Sequence, residues 1–274
     1  MKHLFFDIEC ANCDEGKGKI CSFGYVICNE ELEVLSQKDI VINPDAPFHL
    51  TNRRDKRDVI LSYSEQEFLS APKFPEFSQE IFGLLGDKDT MVWGYAVVND
   101  INFLLSECER YRLKMPDVEY FDVQLLYADY LSVKNVMSLE RAVGEIGVQV
   151  GDEHNSMEDA RNTMLVAKGI CEKLGLKLES VYELSPRVKG EVKGGERLQM
   201  SNYPKKKEYE EKRRSIFSRG VEFGGLTDSE VKENREKSFN VYNAKYKILH
   251  NYDSGVKSSS TIGELLGKIE LGDE

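Results

Sequence analysis

The chain has 274 residues, of which 41% are hydrophobic, and it carries a formal net charge of −11. This length and apolar content support one large domain or one domain with a smaller appendage, and they exclude a fibrous or fully disordered protein. The acidic balance argues against a protein that coats nucleic acid with a broad basic face. The charge is uneven, because residues 185–274 hold 18 basic and 15 acidic residues.

The amino-terminal sequence and the cysteines predict a cytoplasmic protein without a membrane anchor. The apolar stretch before Asp7 meets acid too early for a secretory signal, and no apolar run approaches the roughly 18 residues of a membrane span. The six cysteines are therefore expected to be reduced thiols. Cys10 and Cys13 form a single CxxC pair, which only weakly favours a zinc or redox site.

The predicted elements begin with three strands and continue with helices and strands in alternation. Apolar runs predict strands over 2–9, 19–28 and 39–43, with a hairpin turn near 29–31. Later elements follow from helical spacing and short buried runs: helices over 75–85, 99–113, 137–146 and 156–174, and strands over 90–95 and 118–123. This order indicates an α/β fold in which helices cover a mixed sheet.

The composition changes after residue 184 and predicts two domains. Residues 1–184 form the main folded domain, and residues 185–274 form a basic linker and a helical, otherwise flexible C-terminal extension. A capping box at Thr227–Glu230 opens a helix whose apolar face carries Tyr242. We hypothesise that this extension docks through the Tyr242 face and helps to guide an anionic substrate.

Asp7 and Glu9 end the first predicted strand and, two residues apart, point to the same face. Burying two carboxylates together is unfavourable unless cations offset their repulsion. Hard oxygen ligands suit Mg²⁺ or Mn²⁺, and pairs of such ions assist phosphodiester hydrolysis. The structural alternative is a pair of exposed acids at a strand end.

Three further candidate residues lie at the starts of two predicted helices. Asp100 opens a helix, where a carboxylate also complements the helix dipole. His154 lies just before the last long helix, and Asp159 lies in its first turn. An imidazole on a loop can take a proton from an attacking water while Asp159 binds a metal ion. Ser156 with Asp159 also matches a capping box, which leaves a purely structural alternative for Asp159.

The order of these residues resembles the DEDD exonucleases, the superfamily of the polymerase III epsilon-subunit proofreading exonuclease and RNase T. The five-residue step from histidine to aspartate resembles the histidine-containing DEDDh branch. Three segments carry the resemblance, which spans residues 1–180: Leu4–Cys10, Trp93–Leu104 and His154–Thr163. The segment Phe121–Leu126 resembles the stretch that follows the second motif.

This resemblance implies an RNase H-like fold and a 3′→5′ exonuclease that hydrolyses nucleic-acid ends to nucleoside 5′-monophosphates. It implies substrate contacts at Ile8, Cys10 and Phe103, although Cys10 replaces the commoner threonine, and Ser22 stands where many members have glutamate. Neither departure removes a metal ligand. The implied catalytic set binds two Mg²⁺ or Mn²⁺ ions through four carboxylates and uses one general base: Asp7, Glu9, Asp100 and Asp159, with His154.

The implied partner is the single-stranded 3′ end of DNA or RNA, and the resemblance leaves open a homodimer or a polymerase or repair partner. A competing interpretation is a catalytically idle exonuclease-fold module that binds nucleic acid or a protein partner. The five polar positions argue against it, because buried carboxylates without cations destabilise a fold. The sequence does not separate DNA from RNA, since recognition of the 2′-hydroxyl depends on pocket shape.

Overall fold

The computed structural model describes residues 1–13, 17–50, 61–131, 133, 135–147, 154–183 and 185–198. The predicted helix from Thr227 and its Tyr242 face lie outside these residues. No helix in the described part of the chain combines the length and apolar content needed to cross a membrane.

The described strands form one mixed sheet of seven strands in the order β3-β2-β1-β4-β5-β6-β7. β1, β4 and β5 run parallel, and each remaining strand is antiparallel to the inner neighbour with which it pairs. This confirms the predicted α/β architecture. The strands are β1 Lys2–Asn12, β2 Lys19–Cys28, β3 Val34–Val41, β4 Thr90–Gly94, β5 Val118–Asp122, β6 Lys189–Lys193 and β7 Glu196–Leu198.

Helices flank the sheet, and the four predicted within 1–184 are present. The sequence did not predict α1, α4 or α7, which are only six to eight residues long. The helices are α1 Glu65–Ser70, α2 Phe74–Leu85, α3 Val98–Tyr111, α4 Val123–Tyr130, α5 Leu139–Glu145, α6 Ser156–Leu174 and α7 Leu178–Glu183.

The first turn of α6 differs from the capping box suggested by the sequence. Asn155 is the N-cap, and its side chain accepts a hydrogen bond from the backbone N–H of Glu158. Ser156 is therefore the first helical residue, and its hydroxyl is free to bond elsewhere. The predicted capping box of Ser156 with Asp159 is therefore wrong, and Asp159 is an acid of the first helical turn.

Alternation along β1 divides the core between the two faces of the sheet. Leu4, Phe6 and Ile8 pack into the cluster that includes Ile101 of α3. Phe5 points to the opposite face, into the cluster formed largely with α4 and α6. By the same period of two, Asp7 and Glu9 continue the face of Phe5, on which α6 lies.

The part of the predicted extension that the structure describes belongs to the sheet. β6 pairs antiparallel with β5, and β7 pairs with β6. Just before β6, Arg187 Nη2 lies 2.6 Å from Asp129 Oδ1, and Ser185 Oγ also bonds this buried carboxylate. These strand pairings and this ion pair attach residues 185–198 to the sheet, and the domain boundary after residue 184 stays a prediction.

Candidate active site

The candidate site lies where β1 extends beyond its parallel neighbour. β1 pairs with β4 only over Lys2–Phe5, because β4 ends at Gly94. Past this point β2 is the only strand beside β1 in the part of the chain that the structure describes, and β1 carries Asp7 and Glu9 there. The carboxyl ends of β1, β4 and β5 meet at this edge, which is where α/β folds commonly bind ligands.

The side chains of Asp7, Glu9 and Asp159 meet in this space. Each offers a carboxylate oxygen, and these oxygens all lie within 4.8 Å of one another. Asp7 and Glu9 come from one strand, whereas Asp159 comes from the first turn of α6, more than 140 positions later. All three are partly buried, so the group faces an opening and not the closed core.

Asp100 lies beside this carboxylate group. It is 4% exposed in the first turn of α3, which has no side-chain N-cap. Its carboxylate accepts a hydrogen bond from the backbone N–H of Ile8, which lies beyond the end of the β1–β4 pairing. Asp100 thereby approaches β1 from the side that β4 leaves open.

The charges of the four acids influence one another's ionisation. Burial raises the pKa of Asp7 well above its usual range, and the charges of Asp100, Glu9 and Asp159 raise it further, in that order. Burial also raises the pKa of Asp100, with Glu9 adding to the effect. Carboxylates that oppose one another's ionisation in this way are stabilised when cations bind between them.

The donor set fits divalent cations that prefer oxygen ligands. Carboxylates clustered at an open edge suit Mg²⁺ or Mn²⁺ better than softer metals. Among the described residues, the Cys10 and Cys13 pair belongs to no group with metal-ligand spacing. None of the six cysteines forms a disulfide.

His154 lies at the rim of the carboxylate group. Its Nδ1 is 3.7 Å from Glu9 Oε1, and its side chain is 45% exposed. Its backbone has φ = 62°, a left-handed conformation that is uncommon outside glycine. Ser62 Oγ donates to the His154 carbonyl at 3.4 Å. The imidazole is therefore partly open to solvent and lies next to the acids.

The three expected substrate contacts lie on or near β1. The side chain of Ile8 is buried in the core, so the backbone is the part of this residue that faces the site. Cys10 and Phe103 are partly buried and converge on Gly18, where an added Cβ would lie 2.8 Å from Cys10 Sγ and 2.3 Å from Phe103 Cδ1. Burial raises the pKa of the Cys10 thiol, and the charges of Asp100 and Glu9 raise it further.

The contacts that support the site were not predicted from the sequence. An added Cβ at Gly24 would lie 2.0 Å from the backbone nitrogen of Met157, so the absence of a side chain there lets α6 approach β2. Ser156 bonds Ser22 and Asp39. A single glycine within a predicted strand is a signal of close backbone approach, and it was available in the sequence.

Asp122, at the end of β5, holds the loop before α3. Its Oδ1 accepts hydrogen bonds from the backbone N–H groups of Ala96, Gln124 and Leu125 at 3.1, 2.9 and 3.3 Å. Burial raises the pKa of Asp122 to about 6, although these bonds oppose the rise. The same oxygen thus caps α4 and fixes the turn that precedes Asp100.

The family model for the RNase T exonucleases matches residues 4–167, which include every candidate site residue. The chain belongs to this exonuclease family. The match places it in the DEDD superfamily and among the nucleases, and metal binding is typical of that family. No curated protein matches the sequence.

Solved exonuclease structures share the fold at low sequence identity. A 3′-exonuclease described in recognition of a histone mRNA stem-loop has a TM-score of 0.54 and 14% identity over 74% of this chain and 92% of its own. The nuclease domain of 3′hExo, a DEDDh family member bound to rAMP, has a TM-score of 0.50 and 16% identity. The alignment covers 62% of this chain and 92% of that domain.

E. coli exonuclease I in complex with a dA16 oligonucleotide has a TM-score of 0.52 and 15% identity over 66% of this chain. The alignment covers only 42% of the E. coli chain, so the present chain spans less than half of it. These similarities establish the RNase H-like exonuclease fold that the sequence predicted.

Proposed function

We propose that this protein is a metal-dependent 3′→5′ exonuclease that releases nucleoside 5′-monophosphates from nucleic-acid ends. The observation that carries the proposal is the meeting of Asp7, Glu9 and Asp159 within 4.8 Å, with Asp100 beside them. Membership of an exonuclease family supports it, and so do neighbours whose structures contain an oligonucleotide or rAMP.

The four carboxylates would hold two Mg²⁺ or Mn²⁺ ions. Such a pair of ions helps to generate the nucleophile and stabilises the charge that develops on the leaving oxygen. Asp7 and Glu9 hold one side of the site from β1, while Asp159 closes it from α6. Asp100 completes it from α3, at the side that β4 leaves open.

His154 would act as the general base. Water would attack the phosphorus of the last phosphodiester, and His154 would accept the proton that the water loses. The bond from phosphorus to the 3′ oxygen breaks, and this oxygen stays on the shortened strand and takes a proton from solvent. The His154 imidazole lies 3.7 Å from the Glu9 carboxylate, at the rim of the acidic group. The exposed imidazole can then release this proton to solvent.

Ile8, Cys10 and Phe103 would seat the terminal nucleotide. The backbone of Ile8 lies between Asp7 and Glu9, and Cys10 and Phe103 form one surface around Gly18. We include in the proposal a single-stranded 3′ end of DNA or RNA as partner, and assembly as a homodimer or with a polymerase or repair protein. A cytoplasmic location is part of it and agrees with the absence of disulfides.

Digestion of 5′-labelled, sequence-matched DNA and RNA single strands tests this proposal. With Mn²⁺ we expect a ladder that shortens from the 3′ end, and EDTA should abolish it. Blocking the 3′ end should delay degradation. Asp7→Asn should remove the activity, while Glu158→Gln, which changes an acid of α6 outside the carboxylate group, should retain it.

Two results would contradict the proposal. Cleavage that persists in EDTA would exclude the metal mechanism. Binding of oligonucleotides without any cleavage in Mg²⁺ or Mn²⁺ would instead favour the idle exonuclease-fold module.

A further inference from the structure

The start of α6 is attached to the sheet by a polar contact that the proposed chemistry does not use. Ser156 is fully buried, and its Oγ lies 2.6 Å from Asp39 Oδ1 and 2.9 Å from Ser22 Oγ. A hydroxyl carries a single proton. Ser156 therefore donates to the Asp39 carboxylate and accepts from Ser22, which joins α6 to both β2 and β3.

Strand register places this contact next to the carboxylate group. Asp7 pairs with Gly24 on β2, and Gly24 pairs with Asp39 on β3, so the three residues form one row across the sheet. The backbone of Ser156 and Met157 lies over Gly24, where an added Cβ would collide with it. The first turn of α6 thus lies between two acids of the same row.

Asp39 carries a feature that its contact with Ser156 alone does not explain. Its Oδ2 is buried without a hydrogen bond of normal geometry within the described residues, although the Asp39 carboxylate also interacts with the Tyr63 hydroxyl, whose pKa burial and the Asp39 charge raise to about 12. Asp39 also contributes to the raised pKa of Asp7, after burial and the charges of Asp100, Glu9 and Asp159.

The geometry of a helix transmits the constraint from Ser156 to the site. Ser156 and Asp159 are three residues apart in the first turn, so they lie on neighbouring positions of one helix face. When Ser156 is held against the sheet, the first turn of α6 is fixed both in its rotation about the helix axis and in its distance from the sheet. His154 immediately precedes the N-cap, and Ser62 bonds its carbonyl from a segment beside β3.

We propose that Asp39 is a positioning residue that acts through Ser156 to hold Asp159 and His154 against the carboxylates of β1. The inference rests on the proposed function, because the groups it positions are the metal ligand and the base. It assigns to β3, an edge strand of the described sheet, a role in metal binding without direct contact with the metal.

Four variants of the full chain test the inference: Asp39→Ala, Asp39→Asn, Ser156→Ala, and the double variant Asp39→Ala/Ser156→Ala. For each we would measure Mn²⁺ affinity by calorimetry, kcat and KM on a single-stranded oligonucleotide, and Tm. Ser36→Ala is the matched control, since Ser36 is an exposed residue of the same strand. All measurements are made well below the lowest Tm.

We expect Asp39→Ala and Ser156→Ala each to weaken Mn²⁺ binding and lower kcat by about tenfold or more, with KM for the oligonucleotide little changed. The double variant should be no worse than either single one, because both remove the same contact. Asp39→Asn keeps an oxygen acceptor of the same shape and should restore most of the affinity. Ser36→Ala should behave as wild type.

Each alternative has a distinct signature that overturns the inference. A lower Tm with unchanged Mn²⁺ affinity and kcat would mean that the contact is only structural. Equal losses in Asp39→Asn and Asp39→Ala, with Ser156→Ala harmless, would mean that the Asp39 charge acts without Ser156. If the wild type binds Mn²⁺ but cleaves nothing, the proposed function is wrong. The inference about Asp39 can still be tested in that case, because it predicts changes in Mn²⁺ affinity.

Discussion

Glu9 and His154 lie side by side, with Glu9 Oε1 3.7 Å from His154 Nδ1. One side chain comes from the strand that supplies two of the acids, and the other comes from the loop that leads to the third. Histidine is the side chain that ordinarily changes charge near neutral pH. Among the residues that the structure describes, His154 is the histidine that lies at the rim of the carboxylate group.

The first prediction separates the base from the metal ligands. His154→Asn removes the imidazole, and asparagine tolerates the left-handed backbone found at this position. We expect kcat to fall by about 10²–10⁴-fold, because general-base catalysis contributes that much. Mn²⁺ affinity, measured by calorimetry, should stay close to that of wild type. A loss below tenfold would assign His154 a structural role.

The second prediction concerns metal binding in the absence of substrate. Mn²⁺ at about 100 times its Kd should stabilise the folded protein by about 2.7 kcal/mol and raise Tm. Asp159→Asn should lose most of this increase, because its oxygen belongs to the group within 4.8 Å. Glu158→Gln changes the adjacent acid and should keep it. Equal thermal shifts in both variants would argue against Asp159 as a ligand.

The third prediction is a pH dependence of stability in metal-free protein. The pKa of Asp122 rises from 3.8 to about 6 in the folded state, chiefly through burial. Between these values the unfolded state binds fewer protons than the native state, so the free energy of unfolding falls as pH rises. The contribution is present below about pH 4 and is lost by about pH 6, at up to about 3 kcal/mol.

Urea unfolding in EDTA at several pH values between 4 and 7 measures this effect. The raised pKa values of Asp7 and Asp100 act in the same direction. Asp122→Asn removes one titrating group but keeps an acceptor for the backbone donors, so its stability should fall less steeply with pH. Identical pH profiles in the variant and wild type would contradict the assignment to Asp122.

The fourth prediction tests the close approach of α6 to β2. In Gly24→Ala the new Cβ would lie 2.0 Å from backbone atoms of Ser156 and Met157, so the helix must move. We expect a loss of about 1–3 kcal/mol in unfolding free energy, with weaker Mn²⁺ binding. Gly83→Ala, in α2, meets no atom within 4 Å and should stabilise the protein by about 0.5–1 kcal/mol. Destabilisation of both to the same degree would exclude the steric explanation.

The fifth prediction decides where the folded domain ends. A chain ending at residue 184 lacks Arg187 and Ser185, which bond the buried carboxylate of Asp129. Removing the partner of a buried charge costs about 3–5 kcal/mol, so this chain should unfold readily in urea. A chain ending at residue 198 should keep the stability of the full protein. Equal stability of the two chains would support the boundary at 184.

Local sequence patterns determined most of the elements. β2 and α6 have the bounds predicted from the sequence, and α2 differs by one residue at its start. Periodicity and helix-terminal residues act over a few positions, so the sequence alone carries them. β3 began five residues earlier than predicted, because its first residues are exposed and are defined by pairing with β2 instead of an apolar pattern.

The sequence also named Asp7, Glu9, Asp100, His154 and Asp159, because their order resembles an exonuclease family. Their convergence was decided by tertiary structure: β4 ends at Gly94, which opens the side of β1, and Gly24 admits the start of α6. Asp39 had no local signal, since its partner Ser156 lies 117 positions away. Such contacts depend on strand pairing and on how helices pack against the two faces of the sheet, and these are set by the core as a whole.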